Sequence, residues 1–273
     1  MPDDVTLRPL VSHADYDACV RLQREIWGRD FADVVSPTIL MVSQRVGGVA
    51  AGAFDDSGRL LGFVFGISGV RDGVPAHWSD MLAVHPDARR RGLGRRLKLY
   101  QRQRLLDSGI EVAYWSFDPL VAPNAHLNIN VLGAVPVEYV PDMYGDTGST
   151  LHRGLATDRF VVEWRLTAAR VERLLAGRAD PPPAAAYRGP VLGPGRADHD
   201  EPLPADPWVR IAAPADIGDL KANEPDQARH WQQMHRNTIG RYLSRGYRVT
   251  GFRFASPPGD SHYLLTNLPD RAR

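Results

Sequence analysis

The sequence predicts a mixed α/β (α+β) fold: one domain and a smaller α/β appendage. Three observations carry that expectation. Strand-like and helix-like segments alternate from residue 5 to about residue 167, which calls for helices packed on a mixed sheet. A proline-rich stretch then breaks the pattern, and a shorter alternation resumes beyond it. The chain has 273 residues, 43% hydrophobic and 24% charged, enough apolar side chains for a real core and too long for one minimal domain.

Taken in order, Val5-Thr-Leu-Arg-Pro-Leu-Val reads as a strand, and residues 13–27 place Tyr16, Cys19, Val20, Gln23, Ile26 and Trp27 at helical spacing. Only Gln23 interrupts that apolar stripe. A hairpin follows, with strands around 48–54 and 61–67 joined by the turn residues Asp55-Asp-Ser-Gly. Residues 77–84 form a strand that Pro86 ends by removing a ladder donor. A helix spans about 94–108, a strand 111–117, a short helix 124–132, and strands 134–140 and 160–166. Residues 178–207 carry eight prolines with glycine and alanine, a linker composition. Expected domains are therefore 1–177, a linker 178–207, and a 208–273 subdomain with strands near 208–211, 247–254 and 262–266. Its helix carries Ala228, Trp231, His235, Ile239 and Tyr242 on one stripe. About 65 residues make a marginal core alone, so this subdomain should pack on the first.

Composition excludes several function classes. Cys19 is the only cysteine, which removes intrachain disulfides and cysteine-based zinc sites. No apolar run approaches the ~20 residues of a membrane span, and the N-terminal residues lack the order of a secretory signal, so a cytoplasmic location is expected. Lys plus Arg total 33 against 32 Asp plus Glu. Eight of those 33 fall between Arg89 and Arg104, leaving 25 for the rest of the chain. So local a cluster suits a small polyanion better than a nucleic-acid duplex.

The sharpest signal is Met81-Leu-Ala-Val-His-Pro-Asp-Ala-Arg-Arg-Arg-Gly-Leu-Gly-Arg-Arg-Leu. A strand stops at proline, and a loop with Arg89, Gly92 and Gly94 then opens a helix. Glycines admit positive φ and close approach to a ligand, and a helix start offers unpaired N–H groups to a pyrophosphate. Arg90, Arg91 and Arg95 add charge at the same mouth. A dinucleotide loop would need a third glycine where Leu97 stands, and the Gly-Lys-Ser/Thr phosphate loop is absent.

This segment resembles the acyl-CoA loop of the GNAT superfamily of N-acyltransferases, and the order of elements from about 5 to 167 resembles that fold. Trp115-Ser-Phe-Asp-Pro-Leu, Asn124-Ala-His-Leu-Asn, Leu132-Gly-Ala, Tyr144-Gly, Arg153-Gly-Leu, Asp158-Arg and Glu163-Trp resemble a subgroup of larger GNAT-like proteins, some associated with N-acylation or N-succinylation of amino acids. The resemblance implies a splayed central sheet flanked by helices. It also implies an acetyl-CoA or other short acyl-CoA co-substrate, no metal, and a small amine or amino acid as acceptor. Leu82, Ala83 and Val84 would bind the pantetheine arm through the main chain. The N–H groups of residues 90–95, with Leu93 among them, would hold the pyrophosphate, and Asn124 would sit near the pantetheine or the sulfur, cap its helix, or do both.

Direct attack of a neutral amine on the thioester needs a base, a polarised carbonyl and a donor for the leaving thiolate. The resemblance implies that main-chain N–H groups at a bulge near Leu82 polarise the carbonyl. The sequence departs from the family pattern elsewhere: no glutamate stands on the 77–84 strand, which offers His77 and Asp80, and Ile129 occupies the place of the acid tyrosine. Tyr144 is the substitute acid, with half-buried packing as its competing role. His126 is a base or substrate contact, or a structural histidine. Asp80 acts through water or binds an ammonium, or is a surface charge. Arg153 and Arg159 would clamp a carboxylate. Those departures also leave a non-catalytic acyl-CoA-binding module as the alternative. Neither a nucleic-acid nor a membrane partner is expected, and the C-terminal subdomain would close the acceptor pocket or form a homodimer contact.

Overall fold

A computed structural model describes residues 5–151, 154–178, 180–194, 202–255 and 261–269. The chain forms two compact units: Met1–Trp115 with Thr147–Leu151, and Ser116–Asp146 with His152–Arg273. Residues 178–207 thus fall inside the second unit, together with 116–146. No helix among the described residues is long and apolar enough to cross a membrane.

The first unit begins with β1 (Val5–Pro9) and α1 (His13–Trp27). Ser12 and Asp15 form a reciprocal cap at the start of α1, and Arg8 grips Asp15 with two bonds of 2.7 and 2.9 Å. Gln23, the polar break in the stripe, is fully buried, and its amide pairs with both the N–H and C=O of Val35. The sequence reading missed α2 (Pro37–Arg45), which Ser36 caps with Pro37 in its first turn.

Strands β2 (Val49–Asp55), β3 (Leu60–Arg71) and β4 (Val74–Val84) then run antiparallel in the order β1-β2-β3-β4. After a 3₁₀ turn at Pro86–Ala88 comes α3 (Leu93–Asp107), and then β5 (Val112–Phe117), parallel to β4. One face of this mixed sheet presents Phe54, Phe63, Phe65, Met81 and Ala83 to Tyr16, Cys19, Leu22 and Leu40 of α1 and α2. The opposite face receives α3, whose Leu97 reaches Gly62.

In the second unit α4 (Ala122–Ala125) runs into a π-helical turn, His126–Val131, in place of the expected regular helix. β6 (Val135–Val140) and β7 (Arg159–Arg165) pair antiparallel, followed by α5 (Ala169–Leu175). A separate sheet in the order β10-β11-β9-β8 combines β8 (Val191–Leu192), β9 (Trp208–Ala213), β10 (Arg248–Arg253) and β11 (Ser261–Thr266). The helices α6 (Ile217–Asn223) and α7 (Pro225–Ser244) lie between β9 and β10 in sequence. Asp158, 2% exposed, anchors this unit: it accepts bonds from Arg236, from the Tyr139 hydroxyl (2.7 Å) and from the N–H of Asp142 (3.0 Å).

Candidate functional site

The site grows from an irregularity in β4. Its ladder with β3 runs from Gly62↔Val84 to Phe65↔Met81, then resumes at Ile67↔Trp78 and Ser68↔His77. Ser79 and Asp80 together stand opposite Gly66, so β4 carries a one-residue bulge. The bulge changes the sheet face to which odd-numbered residues point. Met81 and Ala83 join Phe63 and Phe65 on the α1–α2 side, whereas Ser79 meets Lys98 and His77 meets Gln101, both from α3. Gly66 is required here: a Cβ would collide with the His77 ring and the Trp78 carbonyl.

On its other edge β4 pairs with β5 only at His77↔Ala113 and Trp78↔Tyr114. Past Trp78 the strands part, and the paired stretch of β4 that continues to Val84 is laddered only to β3. This is the splay implied by the resemblance. The bulge itself lies at Ser79–Asp80, two residues before Leu82.

The strand end is fixed by His85, whose N–H bonds to Leu61 O (2.8 Å), whose ring accepts from the N–H of Asp87, and which also meets Glu25 (2.9 Å). The bend that follows holds Arg90 at φ 63° and Gly92 at φ 71°. Arg89, Arg90, Arg91 and Gly92 are exposed, and a Cβ on Gly92 would meet nothing within 4 Å. Gly92 occupies the N-cap position of α3 with no side chain capping it, which leaves the helix start facing outward. Leu93 is buried beneath the bend, and Gly94 and Arg95 are partly exposed.

The basic cluster is smaller than the sequence suggests. Arg96 turns its guanidinium to Val5 O (2.8 Å), Arg104 pairs with Asp107, and Lys98 is buried in the core. His77 is fully buried too; burial, with Lys98 nearby, lowers its pKa to about 3, so it is a neutral core residue and no base. Asp80 is exposed, on the outer side of the bulge. The surrounding protein and the Asp33 carboxylate push its pKa upward, against a hydrogen bond from Trp78.

The remaining candidates stand in the second unit. Asn124 is exposed at the third position of α4; Val121 takes the N-cap place, so the capping role expected of Asn124 is not realised. His126, partly buried, receives a bond from Asn130 (3.0 Å) and stacks on Phe254 at 4.9 Å, and burial lowers its pKa. Tyr144 is 40% exposed and shares a 2.8 Å bond with Ser116. Tyr144 and His126 engage different partners. Arg159 opens β7, is 6% exposed, and donates to Asp158 O (3.0 Å). Arg153 lies outside the described residues. Ile129 is buried and apolar, so that position supplies no acid.

Residues 16–127 match the model of the acetyltransferase (GNAT) family. Solved structures of similar fold include the ribosomal-protein-S18-alanine N-acetyltransferase from Escherichia coli, 18% identical, covering 60% of this chain and 96% of that one with a TM-score of 0.46. Another is aminoglycoside 6'-acetyltransferase type Ii, 18% identical over 60% of this chain and 97% of that one, TM-score 0.47. A third is aminoglycoside 6'-N-acetyltransferase complexed with coenzyme A, 16% identical over the same shares, 60% and 97%, TM-score 0.45. No curated protein sequence matches significantly.

Proposed function

We propose that the chain is an acyl-CoA-dependent N-acyltransferase that moves an acetyl or other short acyl group, succinyl included, to a small amine or amino acid. One observation carries the reading: a bulged strand freed from its neighbour at Trp78 leads directly into an exposed, arginine-bearing bend and the uncapped start of α3. The family match over residues 16–127 supports it. In this reading the N–H groups of residues 90–95 hold the pyrophosphate while Arg89, Arg90, Arg91 and Arg95 neutralise it. Leu82, Ala83 and Val84 bind the pantetheine arm in the manner of an added strand.

The amine nitrogen attacks the thioester carbonyl, a C–N bond forms, the C–S bond breaks, and the thiolate takes a proton to leave as CoA. Main-chain N–H groups at the bulge polarise the carbonyl. Asp80, with its raised pKa, accepts the ammonium proton directly or through water. In this reading Tyr144 supplies the acid, His126 is a base or a substrate contact, and Asn124 lies near the pantetheine or the sulfur.

The buried Ile129 favours a second reading, an acyl-CoA-binding module that does not turn over. Calorimetric titration with CoA, acetyl-CoA and succinyl-CoA, followed by thiol release across an amine panel, tests both. Binding with turnover supports the enzyme, and binding without turnover on any amine supports the module. No binding at high micromolar CoA ends both. Arg90→Ala combined with Arg95→Ala should weaken CoA at least about tenfold, because two phosphate-facing charges are lost.

A further inference from the structure

Beneath the bulge lies a polar cluster that the reaction above does not use. Lys98 is 2% exposed, Ser79 5%, and His77 and Gln101 have no exposed surface. The Lys98 Nζ donates to Ser79 Oγ (2.9 Å) and Gln101 Oε1 (2.8 Å), and lies 3.7 Å from the centroid of the Trp115 ring. Donor directions then fix the rest. The Gln101 amide donates to His77 Nε2 (3.0 Å), so the proton of the neutral ring is on Nδ1, facing Ser68 Oγ (3.0 Å). Ser68 in turn donates to Gly47 O (2.7 Å).

The position of Lys98 coincides with the place where the sheet opens. β4 and β5 pair at His77↔Ala113 and Trp78↔Tyr114, and the next rung would join Ser79 to Trp115. Those two residues are the ones on which the Lys98 amine sits. We infer that Lys98 is a positioning residue that fixes where β4 and β5 part, and with it the placement of the thioester against the bulge amides. The inference rests on the acyltransferase reading for its consequence, and on the first unit alone for its geometry.

Two arguments support it. A buried amine is costly to desolvate, and an apolar side chain of the same length would fill the space more cheaply, so packing alone does not account for a lysine. Its pKa is pushed well below the ordinary lysine value by burial, in keeping with that cost. Lys98 also belongs to the helix whose start would hold the pyrophosphate, so one side chain ties that cradle to the bulge. Without it Ser79 and Trp115 are free to add a rung, which shortens the opening by about 3.3 Å.

The test uses the full chain with Lys98→Met, Ser79→Ala and the double variant. Hydrogen–deuterium exchange needs no substrate: Lys98→Met should change exchange in peptides covering 78–84 and 112–116 by about tenfold or more, with β1 and β2 unchanged. Ser79→Ala, a milder change, should do the same to a smaller degree and so covers the case in which Lys98→Met fails to fold. Unchanged exchange in both segments overturns the inference whatever the chain binds. In the activity arm, Lys98→Met should keep its CoA Kd within about threefold while kcat drops about 100-fold, as expected of a misplacement near 1 Å. Ser79→Ala should add little to it, since the two act as a unit. A kcat within threefold of wild type in Lys98→Met also overturns it. A wild-type chain that binds no CoA instead sinks the acyltransferase reading and leaves the exchange result to decide the role of Lys98.

Discussion

His77 should make the first unit acid-sensitive at a pH where carboxylates are still ionised. In an unfolded chain a histidine takes up its proton near pH 6.5; here burial first, and Lys98 second, hold the folded value at about 3. Between those limits the unfolded state binds the extra proton, so stability is complete above pH 6.5 and is lost as pH falls toward 3. At about 1.4 kcal/mol per pH unit, lowering the pH from 7 to 5 removes about 2 kcal/mol through His77 alone. Urea titrations at half-unit steps from pH 7 to 5 on wild type and His77→Asn measure this. Asparagine can keep the donor to Ser68 but cannot titrate. The variant should start less stable at pH 7 and lose about 2 kcal/mol less by pH 5. His235 of the second unit, buried with a pKa lowered to about 4, provides the same background slope to both proteins. Equal slopes for wild type and variant would refute the reasoning.

Gly92→Ala places a methyl at φ 71° over open space, so it should cost only about 1 kcal/mol of stability by chemical denaturation. The same methyl should weaken CoA at least about tenfold by calorimetry, because it fills the approach to the bend. Asp158→Ala strips the acceptor from Arg236, Tyr139 and the N–H of Asp142 together, and should destabilise the second unit by about 3–5 kcal/mol in urea unfolding.

What the sequence discloses is what periodicity and punctuation encode. α1 has the bounds its stripe predicts, Pro86 follows the end of β4, and the Gly92 bend opens a helix as its composition demands. α2 escapes for a physical reason. Its apolar residues Ile39 and Val42, and Val46 just past its end, are exposed, whereas Leu40 and Ser43 are buried, so the hydrophobic pattern does not mark the buried face. Ser36-Pro37 was the available signal. Lys98 reads as surface charge among seven arginines, and nothing local distinguishes it from them. The π turn at His126–Val131 has a period that no short sequence window separates from an α-helix. The irregularity in β4 is masked by its own regularity. His77, Ser79, Met81 and Ala83 are all buried at every second position, as in an uninterrupted strand, although the first pair faces α3 and the second faces α1 and α2.

That masking has an evolutionary and engineering consequence. Ironing the bulge out at constant length, so that Asp80 alone stands opposite Gly66, would turn the N-terminal half of β4 inside out and drive the imidazole of His77 toward the phenylalanine layer. Excising Ser79 or Asp80 would instead leave Ile67↔Trp78 and Ser68↔His77 paired and facing as they do now. A deletion there would remove the bulge and keep the buried face, while length changes elsewhere between His77 and Val84 would shift the register against β3 and turn buried residues outward. The hairpin tip at Asp72-Gly73, where both residues are exposed at positive φ, is the place that can absorb them.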